Sequence, residues 1–111
     1  MNSIEQLRQA MVSLQFSETM EIIDALYDFT PSSFSNGNTR NEAGENNGSC
    51  KLFAFAKLND FTEPQTLALF GEFFRDVLAA PDGDDHQNIR NFMKTGWAGI
   101  TFDQPPLTEK K

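Results

Sequence analysis

Apolar side chains recur at helical spacing in several stretches of the chain. Ser3 and Gln6 have the form of a capping box, and the apolar pattern after them predicts a helix over residues 3–14. Ser17 is the predicted N-cap of a second helix. That helix ends before Pro31, because the residue preceding a proline is displaced from the α region.

The second half of the chain carries the clearest helix signals. Thr62 and Gln65 form a predicted capping box, and the amphipathic pattern after them predicts one long helix that ends before Pro81. A last helix is predicted over residues 85–95, with Gly96 as its C-terminal stop.

The stretch over residues 50–58 has no clear period. Its five consecutive apolar residues, 52–56, fit either a buried strand or a fully buried helix. We favour the helix, since Leu, Ala and Lys are good helix formers and β-branched residues are absent.

Short extended segments are predicted at residues 28–29, 34–35 and 99–102. Asn36-Gly37 is a strong turn signal between them. The pattern therefore predicts a mainly α, compact single domain of about five helices over residues 3–102, with a short two-stranded β element from near residues 29–34 and 99–102. A small α+β fold is the alternative. Residues 103–111 are predicted to be a flexible tail.

Composition limits the classes of partner. The chain has 111 residues, a net charge of −7 and a pI near 4.5. These values argue against nucleic acid, whose phosphates need clustered Lys and Arg, and against anionic membrane surfaces. The length suits one core, and eleven Phe residues supply much of its apolar area.

The cysteine content and the hydropathy pattern favour a soluble protein of the bacterial cytoplasm. A single cysteine, Cys50, excludes an internal disulfide. No secretory signal peptide is visible, and no apolar run approaches the roughly 20 residues that span a bilayer.

Residues 34–50 form the most informative segment, with five asparagines and three glycines. Both residue types tolerate positive φ, which predicts an ordered but irregular loop that carries a working surface. We expect this loop to pack near the start of the last helix and to form a polar patch for a ligand or a partner. The predicted patch comprises Asn36, Asn41, Asn46, Ser49, Lys51, His86, Asn88 and Arg90.

Two other constellations involve the same region. Cys50 lies at a predicted helix N-terminus beside Lys51, and with His86 it has the parts of a thiol nucleophile site, although a free cysteine is more often a small core residue. Residues 44–51 superficially resemble a phosphate loop but lack the Walker spacing, so they predict at most a generic anion site.

The charged residues near the last helix can be explained without a catalytic or metal site. His86, Arg90 and Lys94 share one helix stripe, which fits an anionic ligand or ordinary surface ion pairs. The acidic residues Asp82, Asp84 and Asp85 lack the spacing of a calcium loop, and we predict no metal site and no cofactor.

Several longer motifs resemble the HopJ type III effector family. They are Tyr27-x-Phe29-x-Pro31-x-x-Phe34-x-Asn36-Gly37, Asn41-x-Ala43-Gly44-x-Asn46-x-Gly48-Ser49-Cys50-Lys51-x-Phe53-Ala54-Phe55, Phe70-Gly71-x-Phe73-Phe74-Arg75-Asp76-Val77-Leu78, and His86-Gln87-Asn88-Ile89-Arg90-Asn91-Phe92-Met93-Lys94-Thr95-Gly96-Trp97. The resemblance implies a small bacterial protein whose relatives are described as effectors of a type III secretion system, so secretion by that route is a further expectation. It carries over no catalytic residues.

Three classes of function follow, in this order. The first is a non-enzymatic interaction protein that binds a host or bacterial protein through the polar patch. The second is a cytosolic protein that binds a small anion or polar metabolite. The third is a thiol-dependent enzyme that uses Cys50. The absence of an established catalytic motif favours a role other than catalysis.

Overall fold

A computed structural model describes residues 15–110. The helix predicted over residues 3–14 lies outside this part of the chain. The described residues form five α-helices and a short 3-10 turn: α1 (Phe16–Leu26), α2 (Asn47–Leu58), α3 (Glu63–Ala68), α4 (Glu72–Ala79), α5 (Gln87–Thr95) and the turn Gly96–Gly99. They also form five strands: β1 (Tyr27–Phe29), β2 (Phe34–Asn36), β3 (Thr39–Asn41), β4 (Ile100–Phe102) and β5 (Leu107–Glu109).

The strands make the fold α+β, so the prediction of a mainly α fold is wrong. β1 pairs with β5 in a two-stranded sheet, and β2 lies between β3 and β4 in a three-stranded sheet. All of these pairings are antiparallel. Strands β3 and β5 have no counterpart among the predicted segments, and β5 occupies the stretch that the sequence predicts as a tail.

The β1–β5 pairing and the β2–β4 pairing follow one another along the same two chain segments and keep the same register, so together they form one interrupted antiparallel ribbon. Phe29 pairs with Leu107 and Phe34 with Phe102, so the same number of residues separates the two pairs on each side. Backbone hydrogen bonds bridge the gap, from Thr30 to the Pro106 carbonyl at 2.8 Å and from Asp103 to the Ser33 carbonyl at 3.0 Å. Proline interrupts the strands there because it cannot donate to the ladder.

The long helix predicted after Thr62 is broken at Gly71. The residue has φ +60° and ψ −127°, a conformation that glycine adopts without steric cost, and it separates α3 from α4. The hydroxyl of the buried Thr19 donates to the Leu69 carbonyl at 2.8 Å. In a continuous helix that carbonyl would accept from a backbone N–H four residues later, so the Thr19 hydroxyl supplies the hydrogen bond that the break removes.

Other helix predictions stand closer to the structure. The helix favoured for residues 50–58 is confirmed, since α2 runs from Asn47 to Leu58. The Thr62 capping box is present, and Gly96 ends α5 with φ +59°. Ser17 is not the N-cap of α1, because Gln15 occupies that position and forms a capping box with Glu18.

The core surrounds Phe53 on α2. Its side chain is fully buried and contacts the rings of Phe34, Phe70, Phe92 and Trp97. Helix α2 therefore crosses the middle of the domain, and its N-terminus opens beside α5. Among the described residues, the helices are all too short or too polar to cross a membrane.

Candidate functional site

A cavity of about 380 Å³ opens between the N-termini of α2 and α5. The polar part of its lining comes from the first turns of these two helices and from β3, and the apolar part comes mainly from α1 and the α3–α4 region. The lining residues are Phe16, Thr39, Asn46, Gly48, Ser49, Phe70, Phe73, His86, Gln87, Asn88 and Ile89.

The N-terminus of α2 is left uncapped. Asn46 precedes the helix with φ 51° and ψ 46°, a left-handed conformation that asparagine tolerates. Its side chain makes no cap hydrogen bond to the helix. The N–H of Cys50 closes the first turn on the Asn46 carbonyl at 3.0 Å. The N–H groups of residues 47–49 precede that bond and have no acceptor within the helix.

The N-terminus of α5 repeats this arrangement. His86 has φ 51° and ψ 49°, and its side chain does not cap the helix. The N–H groups of Ile89 and Arg90 both donate to the His86 carbonyl, at 3.0 and 3.1 Å. Those of Gln87 and Asn88 have no intrahelical acceptor. The helix starts two residues after the position that the sequence predicts, because His86 adopts the left-handed conformation.

A network of asparagines links the two helix ends, and three of its members, Asn36, Asn41 and Asn88, are buried, whereas Asn46 is exposed. Asn41 and Asn88 exchange side-chain hydrogen bonds at 3.1 and 3.2 Å. Asn36 donates to the side chain of Asn88 at 3.0 Å and to its backbone carbonyl at 2.8 Å. Asn46 donates to Asn41 at 2.6 Å. The Asn41 oxygen thus accepts from both helix N-termini, which makes Asn41 the bridge between them.

The opposite side of the cavity is aromatic. The Phe73 ring stacks on the His86 imidazole at 5.3 Å, with an angle of 28° between the planes. His86 Nε2 also lies 3.8 Å from carboxylate oxygens of Asp76 and Asp85. The imidazole therefore faces an apolar ring on one side and acidic side chains at its edge.

Comparison with known proteins identifies the family. The sequence over residues 1–107 matches the family described as HopJ type III effector protein. The chain belongs to the HopJ family. A crystal structure of the unknown function protein VPA0580 has the same fold, with a TM-score of 0.91 and 53% sequence identity over 98% of this chain and 95% of that chain. No curated protein matches the chain significantly.

This HopJ chain brings together about half of the predicted patch. Asn46, Ser49, His86 and Asn88 line the cavity. Asn36 and Asn41 lie behind it in the buried network, where Asn36 Oδ1 has no hydrogen-bond partner among the described residues.

Two predicted patch residues point elsewhere. The Lys51 ammonium pairs with Asp24 at 2.8 Å and lies 5.1 Å from the centre of the Phe29 ring. The Arg90 guanidinium bonds to Asp85 at 2.6 Å. That contact holds the pKa of the Asp85 carboxyl below its usual range. Neither cation lines the cavity.

Cavity residues that the sequence did not single out are mainly apolar. Phe16, Phe70 and Phe73 resemble ordinary core residues in the periodic pattern, so nothing in that pattern separates them. Gly48 belongs to the asparagine- and glycine-rich segment, but its role follows only from the structure, where a Cβ on this residue would lie 2.7 Å from the Phe16 ring. Within residues 15–110, no group of three or more His, Cys, Asp or Glu side chains is placed to hold a metal ion.

The Cys50 thiol lies away from the cavity. It is 1% exposed, its Sγ donates to the Ser32 carbonyl at 3.7 Å, and burial raises its pKa. These features make the neutral thiol the stable form in the folded protein, whereas a nucleophile needs the thiolate.

We expect the native protein to resist thiol labelling at pH 8 and to label fully in guanidinium. The raised pKa also predicts that the free energy of unfolding falls as the pH rises above about 8.5, because the unfolded thiol loses its proton first. Labelling rates in the two states, with a free thiol as reference, test the first expectation, and urea unfolding at pH values on either side of about 8.5 tests the second. Native labelling as fast as the reference would contradict them.

Proposed function

We propose that this HopJ chain binds a small ligand, and that the ligand places an anionic or strongly polar group between the N-termini of α2 and α5. The observation that supports the proposal most directly is that both helices begin at a left-handed residue whose side chain leaves the first turn uncapped. Both uncapped turns line one cavity. A single uncapped end would be ordinary, but two that converge on one concavity form a donor surface.

The donors of this surface are neutral and fixed. Backbone N–H groups at a helix start bind anions, and each helix end carries about half an elementary charge of positive sign. The Ser49 hydroxyl adds a further donor to the lining. The asparagine network holds both ends in place before any ligand arrives, which reduces the entropy cost of binding.

The shape of the site favours a small molecule. Ligand pockets in proteins are concave, with mostly apolar walls and a few convergent polar groups, and they span about 300–1,000 Å³. The cavity volume of about 380 Å³ lies at the lower end of that range. The apolar and polar groups occupy opposite sides, which would orient a ligand that has both.

Ser49→Asp is expected to abolish anion binding while the fold is retained. An aspartate in the first turn of α2 suits the helix dipole and adds about 0.3–1 kcal/mol of stability, but it occupies the donor surface with a like charge. Ser49→Asn is the matched neutral control. Thermal unfolding with a panel of small anions is the measurement, since a ligand at 100 times its dissociation constant adds about 2.7 kcal/mol.

Stabilisation by anions that is equal in the Ser49→Asp variant and in the parent would place binding elsewhere and contradict the proposal. Selective loss in Ser49→Asp, with binding kept in Ser49→Asn, supports it. Amide NMR signals of Gly48 and Asn88 should move on titration, because both residues line the cavity.

Membership of the HopJ family supports a second candidate, a secreted effector that binds a protein partner. An epitope-tagged copy is expected to appear in the culture medium of a strain with an active type III secretion system. An isogenic strain without the export ATPase should retain it in the cells. Equal amounts outside both strains, or none outside either, would contradict the delivery role.

A further inference from the structure

The aromatic side of the cavity is a preformed wall. Phe16 contacts Phe73 with ring centroids 4.9 Å apart, and Phe70 lies nearly parallel to Phe16 at 6.1 Å. The stack continues to His86, whose ring lies over Phe73. The N–H of Phe16 donates to the Glu72 carboxylate at 2.6 Å, which fixes the backbone of the wall. The Phe16 and Phe73 planes are inclined by 48°, so an aromatic ligand ring can pack against them in the offset or edge-to-face arrangements that gain energy beyond the buried area.

Gly48 brings the donor surface and the wall close together. A Cβ on this residue would lie 2.7 Å from one ring atom of Phe16 and 3.2 Å from another. The first turn of α2 therefore approaches the wall as closely as a glycine allows. A ligand that reaches the N–H groups of this turn also touches the aromatic side.

The charge of the lining limits the charge of the ligand. Among the described residues no lysine or arginine lines the cavity, and His86 is its only titratable side chain. Two helix ends supply about one positive charge in total, at about half a charge each. Phosphate groups are usually held by Arg or Lys, and here Asp76 and Asp85 lie close to the imidazole. The site therefore suits one negative charge better than two.

Taken together, the single compensated charge, the aromatic wall and the small volume define a ligand class. We propose that the cavity binds an aromatic monocarboxylate, with the carboxylate on the first turns of α2 and α5 and the ring against Phe73 and Phe16. This inference rests on the proposed function, because it assigns a substrate class to the same cavity. It goes further by excluding phosphate esters and aliphatic acids as the preferred ligands.

The experiment is an NMR titration of the unchanged protein with five probes: benzoate, phenylacetate, acetate, benzamide and inorganic phosphate. Benzoate or phenylacetate is expected to bind at least tenfold more tightly than acetate, which lacks the ring. The same aromatic acid is expected to bind at least tenfold more tightly than benzamide, which lacks the charge, and than phosphate. The amide signals of Gly48, Ser49 and Asn88 report whether each probe enters the cavity.

The Phe73→Leu variant distinguishes the contribution of the ligand's ring to binding from that of its carboxylate. It removes the stacking surface, so it should weaken the aromatic acid at least fivefold and leave acetate unchanged. Phe74→Leu is the matched control, because Phe74 is on the same helix and packs against the core without lining the cavity. Dispersed amide spectra of both variants establish that they fold, and the titration of the unchanged protein stands independently of them.

The outcomes distinguish the two levels of the proposal. If phosphate or acetate binds in the cavity as tightly as the aromatic acids, the ligand class is wrong and the proposed function survives. If none of the five probes moves the three amide signals, both are wrong. A tenfold preference for the aromatic acid that Phe73→Leu removes and Phe74→Leu keeps supports the inference.

Discussion

Replacing Phe53 with alanine is expected to lower the free energy of unfolding by about 3–5 kcal/mol. The ring is fully buried and contacts four other aromatic side chains, with the nearest centroid, that of Phe92, at 5.0 Å. Neighbours held in a helix and a sheet cannot collapse into the space that a lost ring leaves. Equilibrium unfolding in urea measures the change, and Trp97 provides a fluorescence signal beside the substitution.

Phe102→Ala is the control for this prediction. Its ring is partly exposed and contacts the Phe34 ring at 5.7 Å. We expect the free energy of unfolding to fall by less than half as much as in Phe53→Ala. The partly exposed Phe102 ring buries less apolar area on folding, and water can fill the space that it leaves. Equal losses in the two variants would show that Phe53 is not the centre of the core.

Asn41→Ala is expected to cost about 2–3 kcal/mol of stability and to weaken ligand binding at the cavity at least fivefold. The change leaves a donor of the buried Asn88 without its acceptor, and a buried unsatisfied group costs about 1–3 kcal/mol. It also removes the acceptor that Asn46 uses, so the N-termini of α2 and α5 lose their bridge. Urea unfolding and anion titration measure the two effects.

Asn38→Ala is the matched control, because Asn38 is exposed in the turn between β2 and β3. A surface change of this kind should stay within about 0.5 kcal/mol and leave binding unaltered. If Asn41→Ala lowers stability without any change in affinity, the network supports the fold alone and does not position the donors.

Local signals in the sequence predicted the helices that depend on local interactions. The Thr62 capping box and the Gly96 stop need only neighbouring residues, and both are present. The break at Gly71 is compensated by Thr19, which lies 50 residues before Leu69 in the chain and donates to its carbonyl. No window of sequence contains both partners, and a glycine inside an amphipathic pattern is tolerated often enough to pass unnoticed.

The strands are also difficult to predict from the sequence, because they depend on pairing between distant segments. Each described strand has three residues, too few for an alternating pattern to stand out. Residues 107–109 become a strand only because β1 accepts them as a partner. The prediction of a mainly α fold is therefore wrong, although the predicted extended segments 28–29, 34–35 and 99–102 largely coincide with β1, β2 and β4.

The sequence predicted which segments form the candidate site, but not which of their side chains point into the protein and which point outward. An asparagine-rich loop near the start of the last helix pointed to the correct region. The inward turn of Asn36, Asn41 and Asn88 was not foreseeable, since isolated asparagines are usually exposed. The outward direction of Lys51 follows from its ion pair with Asp24 on α1, a contact between distant segments.

The unbroken register between the early and late strands has a consequence for the timing of folding. Phe29 finds its partner only when Leu107 is available, and most of the chain lies between them. During synthesis at about 5–20 residues per second, the helices can form as they emerge. The ribbon cannot close until the residues around Leu107 have left the ribosome. The β1 edge of the nascent chain therefore stays unpaired until residues 78 positions further along the chain have emerged, and an unpaired strand edge can meanwhile pair with another chain.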